Sequence, residues 1–385
     1  MIKTLRVLNY LSLRDVNLEL SARNVLIGPN MAGKSNLVNC FQFLSQVAIS
    51  GLMRAFQDRG GFSEVVWKGG DESRISFQLT GEVISTDKGT PKAYEYELSI
   101  IGSATGSITV EREHLVAKTG NLIYPLIDLR YGQGKITHAD GSSVFTLPSP
   151  SQSALEFPVP GWEGTAVRDL ISRWRFYRLV PAVMKQANAA TEQVFLNSVG
   201  DNFSSWFMTL QGRHPLEFRL IKQAAVDVFP ELEEILTPPT QFATTYVTTR
   251  ERHLKQPVSI WHMSDGELTF LALLSLIFAP PSLGAPLYCI EEPENHLHPR
   301  LLETLVELLT QRQSELGPQA AQIIVTTHSP HLVDKVNLDE LIVVEKRNGA
   351  TYFTRPASKR GLKELLESKE LGLGDLWYSG ALSEN

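Results

Sequence analysis

The stretch Gly28-Pro29-Asn30-Met31-Ala32-Gly33-Lys34-Ser35 satisfies the pattern GxxxxGK[ST] at every fixed position, and it constrains this chain more than anything else in it. Its flanks matter as much as its letters. An apolar strand over residues 24–27 runs straight into it, and Leu37, Val38, Phe41, Leu44, Val47 and Ala48 recur after it at helical spacing. Strand, glycine-bearing loop and helix in that order make a concavity of backbone N–H groups at a helix N-terminus, where a polyphosphate is held. Gly33 permits close backbone approach, Lys34 neutralises the outer phosphates, and the Ser35 hydroxyl ligates Mg²⁺. The phosphate-binding set is expected to comprise Gly28, Pro29, Asn30, Met31, Ala32, Gly33, Lys34, Ser35 and Asn36.

Such a loop needs an acidic partner at the end of a buried strand. Leu287-Tyr288-Cys289-Ile290-Glu291-Glu292 supplies it. Glu291 would hold Mg²⁺ directly or through water. Glu292 would accept a proton from the attacking water, or orient it. One helix later, Ile323-Ile324-Val325 leads into Thr326-Thr327-His328-Ser329-Pro330. A lone histidine is more often structural, but this one ends a second buried strand. That puts His328 on a neighbouring strand of the same sheet, within reach of a γ-phosphate or the water. Met263-Ser264-Asp265-Gly266-Glu267 opens an apolar helix. Ser264 with Glu267 three residues on fits a plain capping box. The alternative is an anion-binding helix start aimed at a γ-phosphate.

The rest of the chain is patterned as follows. Residues 5–13 and 16–20 alternate as half-buried strands, and three alternating segments between 74 and 116 read as an antiparallel meander. Residues 130–165 are rich in Gly, Ser, Pro and Thr and read as linker with a short strand. Residues 165–235 read as mainly helical, including one run over 215–236, and residues 241–262 as strands. The helix at 263–278 is followed by strand 287–290, helix 300–313 and strands 322–326 and 341–345. A helix over 361–371 and an Asp-Leu-Trp-Tyr-Ser-Gly tail close the chain. This divides into an N-terminal lobe (1–130), a linker and helical insert (131–240) and a C-terminal lobe (241–385).

Composition excludes several classes. With 43% hydrophobic and 20% charged residues, the chain can bury a large core and is not a disordered protein. A net charge of −6 argues against a protein that coats nucleic acid, though not against a local basic groove. Two cysteines, Cys40 and Cys289, cannot form a disulfide framework or a four-cysteine zinc site. The apolar run Leu268–Ala279 is too short to span a bilayer, and the N-terminus lacks a secretory apolar region. A cytoplasmic protein without a membrane partner is expected.

Taken in order, the four motifs resemble those of the ABC-type ATPases, specifically the RecF/SMC-like head. Ser264-Asp265-Gly266-Glu267 is similar to their signature, with Asp265 in place of the first glycine. Residues 290–299 resemble their Walker B and D-loop, and 326–330 their H-loop. Segments 59–69 and 173–181 and the terminal Leu-Trp-Tyr-Ser-Gly resemble the OLD-like predicted bacterial ATPases, here without room for a Toprim nuclease domain.

The resemblance implies an α/β fold: an ABC-type head with a mixed sheet, an antiparallel meander and a helical insert. It implies Mg²⁺-dependent ATP hydrolysis with Glu292, His328 and Lys34 as catalytic residues and Ser35 and Glu291 on the metal. Ser264 and Gly266 would contact ATP held by a second subunit, so a homodimer or higher oligomer is expected. The effector would be a separate protein, such as a nuclease, in anti-phage defence or DNA maintenance. An ATP-gated scaffold with little turnover and a RecF-like DNA-binding repair protein are the other readings.

Further candidates are open. Gln42 and Gln78 are candidates for a Q-loop glutamine, and Tyr10 and Arg14 for adenine stacking, although an aromatic residue in a strand is more often core. Arg173, Arg175 and Arg178 interleave with Trp174, Phe176 and Tyr177, either as a nucleic-acid surface or as a strand with alternating faces. His296 and His298 lack a third convergent metal ligand and suit a D-loop role better. Cys289 is expected to be an inert core residue.

Overall fold

The computed structural model of the protein describes residues 1–84, 91–103, 106–120, 122–356 and 374. The expected helix at 361–371 and the tail at 375–380 lie outside the described residues.

Two large sheets face each other across one helix. The first is antiparallel and seven-stranded. Its order is Leu13–Glu19, Ile2–Tyr10, Arg74–Ile84, Pro91–Gly102, Ile108–Thr119, Leu122–Arg130 and Gln133–Ile136. The expected meander is there, extended by the strand Leu122–Arg130, which sequence patterning did not single out. That strand contains Pro125 and exposes Leu122 and Ile123, so its alternation is blurred.

The second sheet has six strands in the order Ala350–Thr354, Leu341–Arg347, Arg23–Ile27, Gln322–Thr327, Leu287–Glu291 and Arg175–Tyr177. All neighbours are parallel except the antiparallel edge pair Leu341–Arg347 with Ala350–Thr354. Strands from the first thirty residues, from the middle of the chain and from its last quarter thus share one sheet.

Side-chain alternation sorts the strand residues onto two cores. Leu26, Cys289, Ile324, Ile342 and Val344 face the helix Lys34–Ser50, which is sandwiched between the two sheets. This explains why that helix buries Cys40 and Phe43 as well as its expected stripe. Val25, Ile27, Tyr288, Ile323, Leu341 and Val343 face the opposite layer. There the helices Phe203–Arg213, Pro215–Val228, Asp265–Ile277 and Pro299–Leu316 pack. Asp265–Ile277 is the central helix of that layer, with every residue from Leu268 to Leu276 buried.

One expectation is corrected. The helix Pro215–Val228 does not continue to residue 236; Leu232–Leu236 is a strand paired with Thr248–Glu251. Pro230 is the reason. The residue before a proline is driven out of the helical region, and Phe229 is extended at φ −112°, ψ 92°.

Candidate functional site

Parallel pairing brings the carboxyl ends of three strands together. Thr327 lies opposite Ile27 and Glu291 opposite Thr326, so the loops that follow Ile27, Glu291 and Thr327 open into one crevice. Crevices at the carboxyl ends of parallel strands are where α/β sheets bind ligands.

The loop after Ile27 is tightly supported. A Cβ on Gly28 would lie well inside contact distance of the Val344 carbonyl, and one on Gly33 would overlap the Thr351 hydroxyl. Gly33 also has φ 109°, which an L side chain tolerates poorly. Thr351 Oγ1 donates to the Ala32 carbonyl (2.9 Å) and shares a hydrogen bond with Ser12 Oγ (2.6 Å). Asn36 Nδ2 donates to the same Ser12 oxygen at 2.6 Å. Ser12 and Thr351 were not among the expected residues, because each meets the loop only through long-range folding. Met31 departs from the usual glycine preference: it holds φ 65° and is 86% exposed at the loop tip.

The buried Lys34 Nζ donates to the carbonyls of Gly28 (2.7 Å) and Pro29 (3.2 Å) and lies 2.9 Å from His328 Nε2. With the lysine donating, Nε2 is the acceptor and the ring proton sits on Nδ1. Burial lowers the Lys34 ammonium to about 8, partly offset by Glu292 and Glu294. His328 is also shifted down, by burial and then by the Lys34 charge, which keeps the imidazole neutral.

Ser35 Oγ donates to Glu291 Oε2 at 2.7 Å. Glu292 Oε1 lies 3.5 Å from His328 Nε2, while its Oε2 accepts from Asn295 Nδ2 at 3.0 Å. Glu292 adopts φ 48°, a conformation costing about 1–2 kcal/mol for a side-chain-bearing residue. Its backbone N–H donates to the Thr326 carbonyl (2.8 Å), which holds the turn. Glu294, a residue given no role from sequence, proves central. Its Oε1 accepts from both Thr327 Oγ1 and the His328 N–H at 2.7 Å, tying the acidic loop to the histidine loop. The signal for it was the acid-rich run Glu291-Glu292-Pro293-Glu294 itself.

Lys34, Ser35, Glu291, Glu292 and His328 therefore meet, although Lys34 and His328 are 294 residues apart. Ser264 stands elsewhere. Its side chain is exposed and caps the helix Asp265–Ile277, accepting from the Glu267 N–H at 3.1 Å. Gly266 abuts the D-loop turn: a Cβ there would come within 2.7 Å of the His296 carbonyl oxygen.

The remaining candidates lie as follows. Tyr10 is fully buried and donates to Asn39 Oδ1 at 2.5 Å, so it is a core residue. Arg14 lies over the Trp67 ring at 4.7 Å. Gln78 is exposed on the meander, opposite Arg6 and Glu97. Gln42 lines a cavity of about 400 Å³ beside Trp174, Arg175 and Phe195.

Trp174 is buried, and Arg175–Tyr177 forms the edge strand next to the acidic strand. Arg175 donates to the carbonyls of Ser172 and Trp174 and sits 4.3 Å from the Phe195 ring centroid. Arg173 donates to the Gly284 carbonyl at 2.9 Å. His298 caps the helix Pro299–Leu316, its Nδ1 accepting from the Arg300 N–H. Cys289 is fully buried, and burial pushes its thiol up.

Among the described residues no cluster of three or more His, Cys, Asp or Glu could hold a metal by protein ligands alone. Ser35 and Glu291 offer two convergent oxygens. That donor set suits Mg²⁺, which takes few protein ligands and completes its shell with phosphates and water. Among the described residues no helix is long and apolar enough to cross a membrane.

Comparison with known proteins is consistent with this geometry. Residues 150–334 match a family model described as "AAA domain, putative AbiEii toxin, Type IV TA system". The matched span holds the Ser264 turn, the acidic strand and His328, but not the phosphate loop. The protein described as "Retron Vc95 probable ATPase" from Vibrio cholerae serotype O1 biovar El Tor is 31% identical over 111 residues. That match covers 26% of this chain and 21% of the relative, so the chain spans about a fifth of that protein's length.

In structure, the chain is similar to an SMC head bound to the C-winged helix domain of ScpA, with a TM-score of 0.58 at 13% identity, covering 92% of this chain and 97% of that one. It is also similar to an SMC head domain with an extended coiled coil bound to the C-terminal domain of ScpA derived from Pyrococcus furiosus, with a TM-score of 0.52 at 12% identity, covering 96% and 99%. The fold is that of an SMC head domain, and residues 150–334 carry the likeness to an ATPase-type domain.

Proposed function

We propose that this protein is a Mg²⁺-dependent ATPase that closes into an ATP-sandwich dimer and drives or gates a separate effector. The observation that carries this reading is the convergence of Lys34, Ser35, Glu291, Glu292 and His328 at the carboxyl ends of adjoining parallel strands. The N–H groups of residues 28–36 would cradle the phosphates. Lys34 would exchange its loop carbonyls for phosphate oxygens, and Ser35 Oγ and Glu291 would hold Mg²⁺. The bound metal supplies charge neutralisation for an in-line phosphoryl transfer.

Glu292 would orient a water and take its proton, and Asn295 fixes one of its carboxylate oxygens. Neutral His328, held through its backbone by Glu294, would contact the outer phosphate. Ser264, exposed at the start of the helix Asp265–Ile277, and Gly266 beside it would meet the nucleotide of a second subunit. The likeness to a protein named as a retron's ATPase supports a role as the ATPase of a larger system, in anti-phage defence or DNA maintenance. The effector, a nuclease or another protein, would then be a separate chain, and kinship with the OLD-like group is compatible with this.

The test is Glu292→Gln. It should keep ATP affinity within about threefold and lower turnover by about a hundredfold or more, as expected for loss of a positioned general base. Undiminished hydrolysis would refute the mechanism. A wild-type protein that dimerises with ATP yet turns over no faster than the variant would favour the scaffold reading. That reading rests on Asp265, which places a carboxylate in the signature turn.

A further inference from the structure

The signature turn carries an electrostatic problem. An anion-binding helix start should present N–H groups and positive potential. Here the first turn of the helix Asp265–Ile277 holds two carboxylates, Asp265 and Glu267. Glu267 is largely withdrawn: its side chain is mostly buried, which raises its carboxyl to about 6. Asp265 is not withdrawn, since its carboxylate is about half exposed.

Asp265 has two partners, both from elsewhere in the chain. Lys185 Nζ lies 2.6 Å from Oδ1, and His296 Nδ1 lies 3.7 Å from Oδ2. Lys185 is the more constrained of the two. It directly follows the short helix Pro181–Met184, whose Met184 is fully buried and which packs on the helix Asp265–Ile277. Upstream, Tyr177 on the edge strand pairs with Ile290, next to the acids. The Lys185 arm therefore runs from the flank of the acidic strand to the signature. His296 arrives from the D-loop, held at φ 72° with its carbonyl against Gly266.

The structure assigns to Lys185 the role of a positioning residue for the reaction in trans: it balances the Asp265 charge so that the signature turn can receive the phosphate of a nucleotide held by a second copy of this chain. The assignment rests on the sandwich reading above and deepens it. An uncharged residue at position 265 would serve the same end without a partner. The ion pair restores near-neutrality while adding a rigid link between the signature, the D-loop and the edge strand. Without Lys185, an uncompensated carboxylate would face an incoming polyanion, and like charges brought together at an interface are strongly disfavoured.

The experiment uses the full chain in a Glu292→Gln background, which retains ATP, and measures ATP-driven dimerisation by light scattering after size exclusion across protein concentration. Lys185→Ala should weaken dimerisation by about tenfold or more. Lys185→Arg should stay within about threefold of the parent. The double variant Lys185→Ala with Asp265→Asn should recover most of the loss, because the charge to be balanced is gone. Recovery separates charge balance from mere support of the fold, which a second substitution would not repair.

Asp265→Asn alone should dimerise at least as tightly as the parent, and this arm stands even if Lys185→Ala does not fold. A parent that dimerises together with an unimpaired Lys185→Ala, an unrescued double variant or a weakened Asp265→Asn overturns the assignment alone. A parent that stays monomeric with ATP overturns the sandwich reading and the assignment with it.

Discussion

Glu113 offers a quantitative test of how the meander is joined to the phosphate-loop helix. It lies in the strand Ile108–Thr119 and is fully buried. Three donors reach its carboxyl: Tyr96 Oη at 3.0 Å, Ser153 Oγ at 2.7 Å and the Ala154 N–H at 2.8 Å. The same turn carries Glu156, which accepts from the N–H groups of Leu52 and Ser153 at 2.8 and 2.9 Å. Leu52 starts the helix that follows Lys34–Ser50, so Glu113 is one end of a buried polar tie between the meander and the far end of that helix.

Burial raises the Glu113 carboxyl from 4.5 to about 7, against the pull of its three hydrogen bonds. The folded state therefore binds this proton more tightly than the unfolded state. The associated stability is intact at low pH and is lost as pH rises from the unfolded value through about 7. At about 1.4 kcal/mol for each tenfold difference in proton affinity, the loss comes to about 3 kcal/mol.

The perturbation is Glu113→Gln, and the assay is urea unfolding of the full chain and the variant at intervals from about pH 4.5 to about pH 8. Glutamine can keep its oxygen on the Ala154 N–H, but its NH2 then replaces the oxygen that accepts from Tyr96 and Ser153, and both hydroxyls must turn to accept instead. The variant should therefore carry a pH-independent penalty of about 1–3 kcal/mol. The pH dependence of the difference is the readout. Wild type should lose about 3 kcal/mol relative to the variant across this window. A difference that stays constant with pH would show that Glu113 does not hold its proton into the neutral range and would refute the reasoning.

Other substitutions probe the site and its surroundings. Gly33→Ala forces a side chain onto the Thr351 hydroxyl at φ 109° and should weaken nucleotide binding by about tenfold or more, read by titration with a fluorescent ATP analogue. Met31→Val should destabilise the chain by about 1–2 kcal/mol, because a β-branched residue resists φ 65°, whereas Met31→Gly should be near neutral in the same unfolding assay. Arg175→Ala removes a half-buried guanidinium from Phe195 and from two backbone carbonyls and should cost about 1–3 kcal/mol, measured by urea unfolding; an unaltered midpoint would return Arg175 to the surface role.

Much of the site was legible because its signals are local. The phosphate loop is a contiguous pattern between a strand and a helix, and both flanking elements form as read. The acids and His328 each end a short apolar run, and short buried runs with charged ends are what parallel strands look like in sequence. The misread segment is also local in origin. Residues 232–236 carry a helix-like composition, but Pro230 ends the preceding helix and the segment finds a partner strand. Tyr10 stood between a core role and a stacking one, and its burial and its bond to Asn39 show it to be core, as an aromatic residue in a strand more often is.

The sequence by itself determined that the chain holds a phosphate loop, an acidic strand end and a histidine strand end. Each follows from residue type and spacing over ten or so positions. Only the tertiary structure decided what these have to do with one another. Parallel strands have no local pairing signal, so the order that sets Arg23–Ile27 beside Gln322–Thr327 emerges only on folding. The supports of the site are of the same kind. Ser12 and Thr351 under the loop, Glu294 between two loops, and Lys185 on Asp265 all act across long stretches of chain. A hydrogen bond or ion pair of that sort leaves no periodicity behind, because its partners are chosen by the fold and not by their neighbours in sequence.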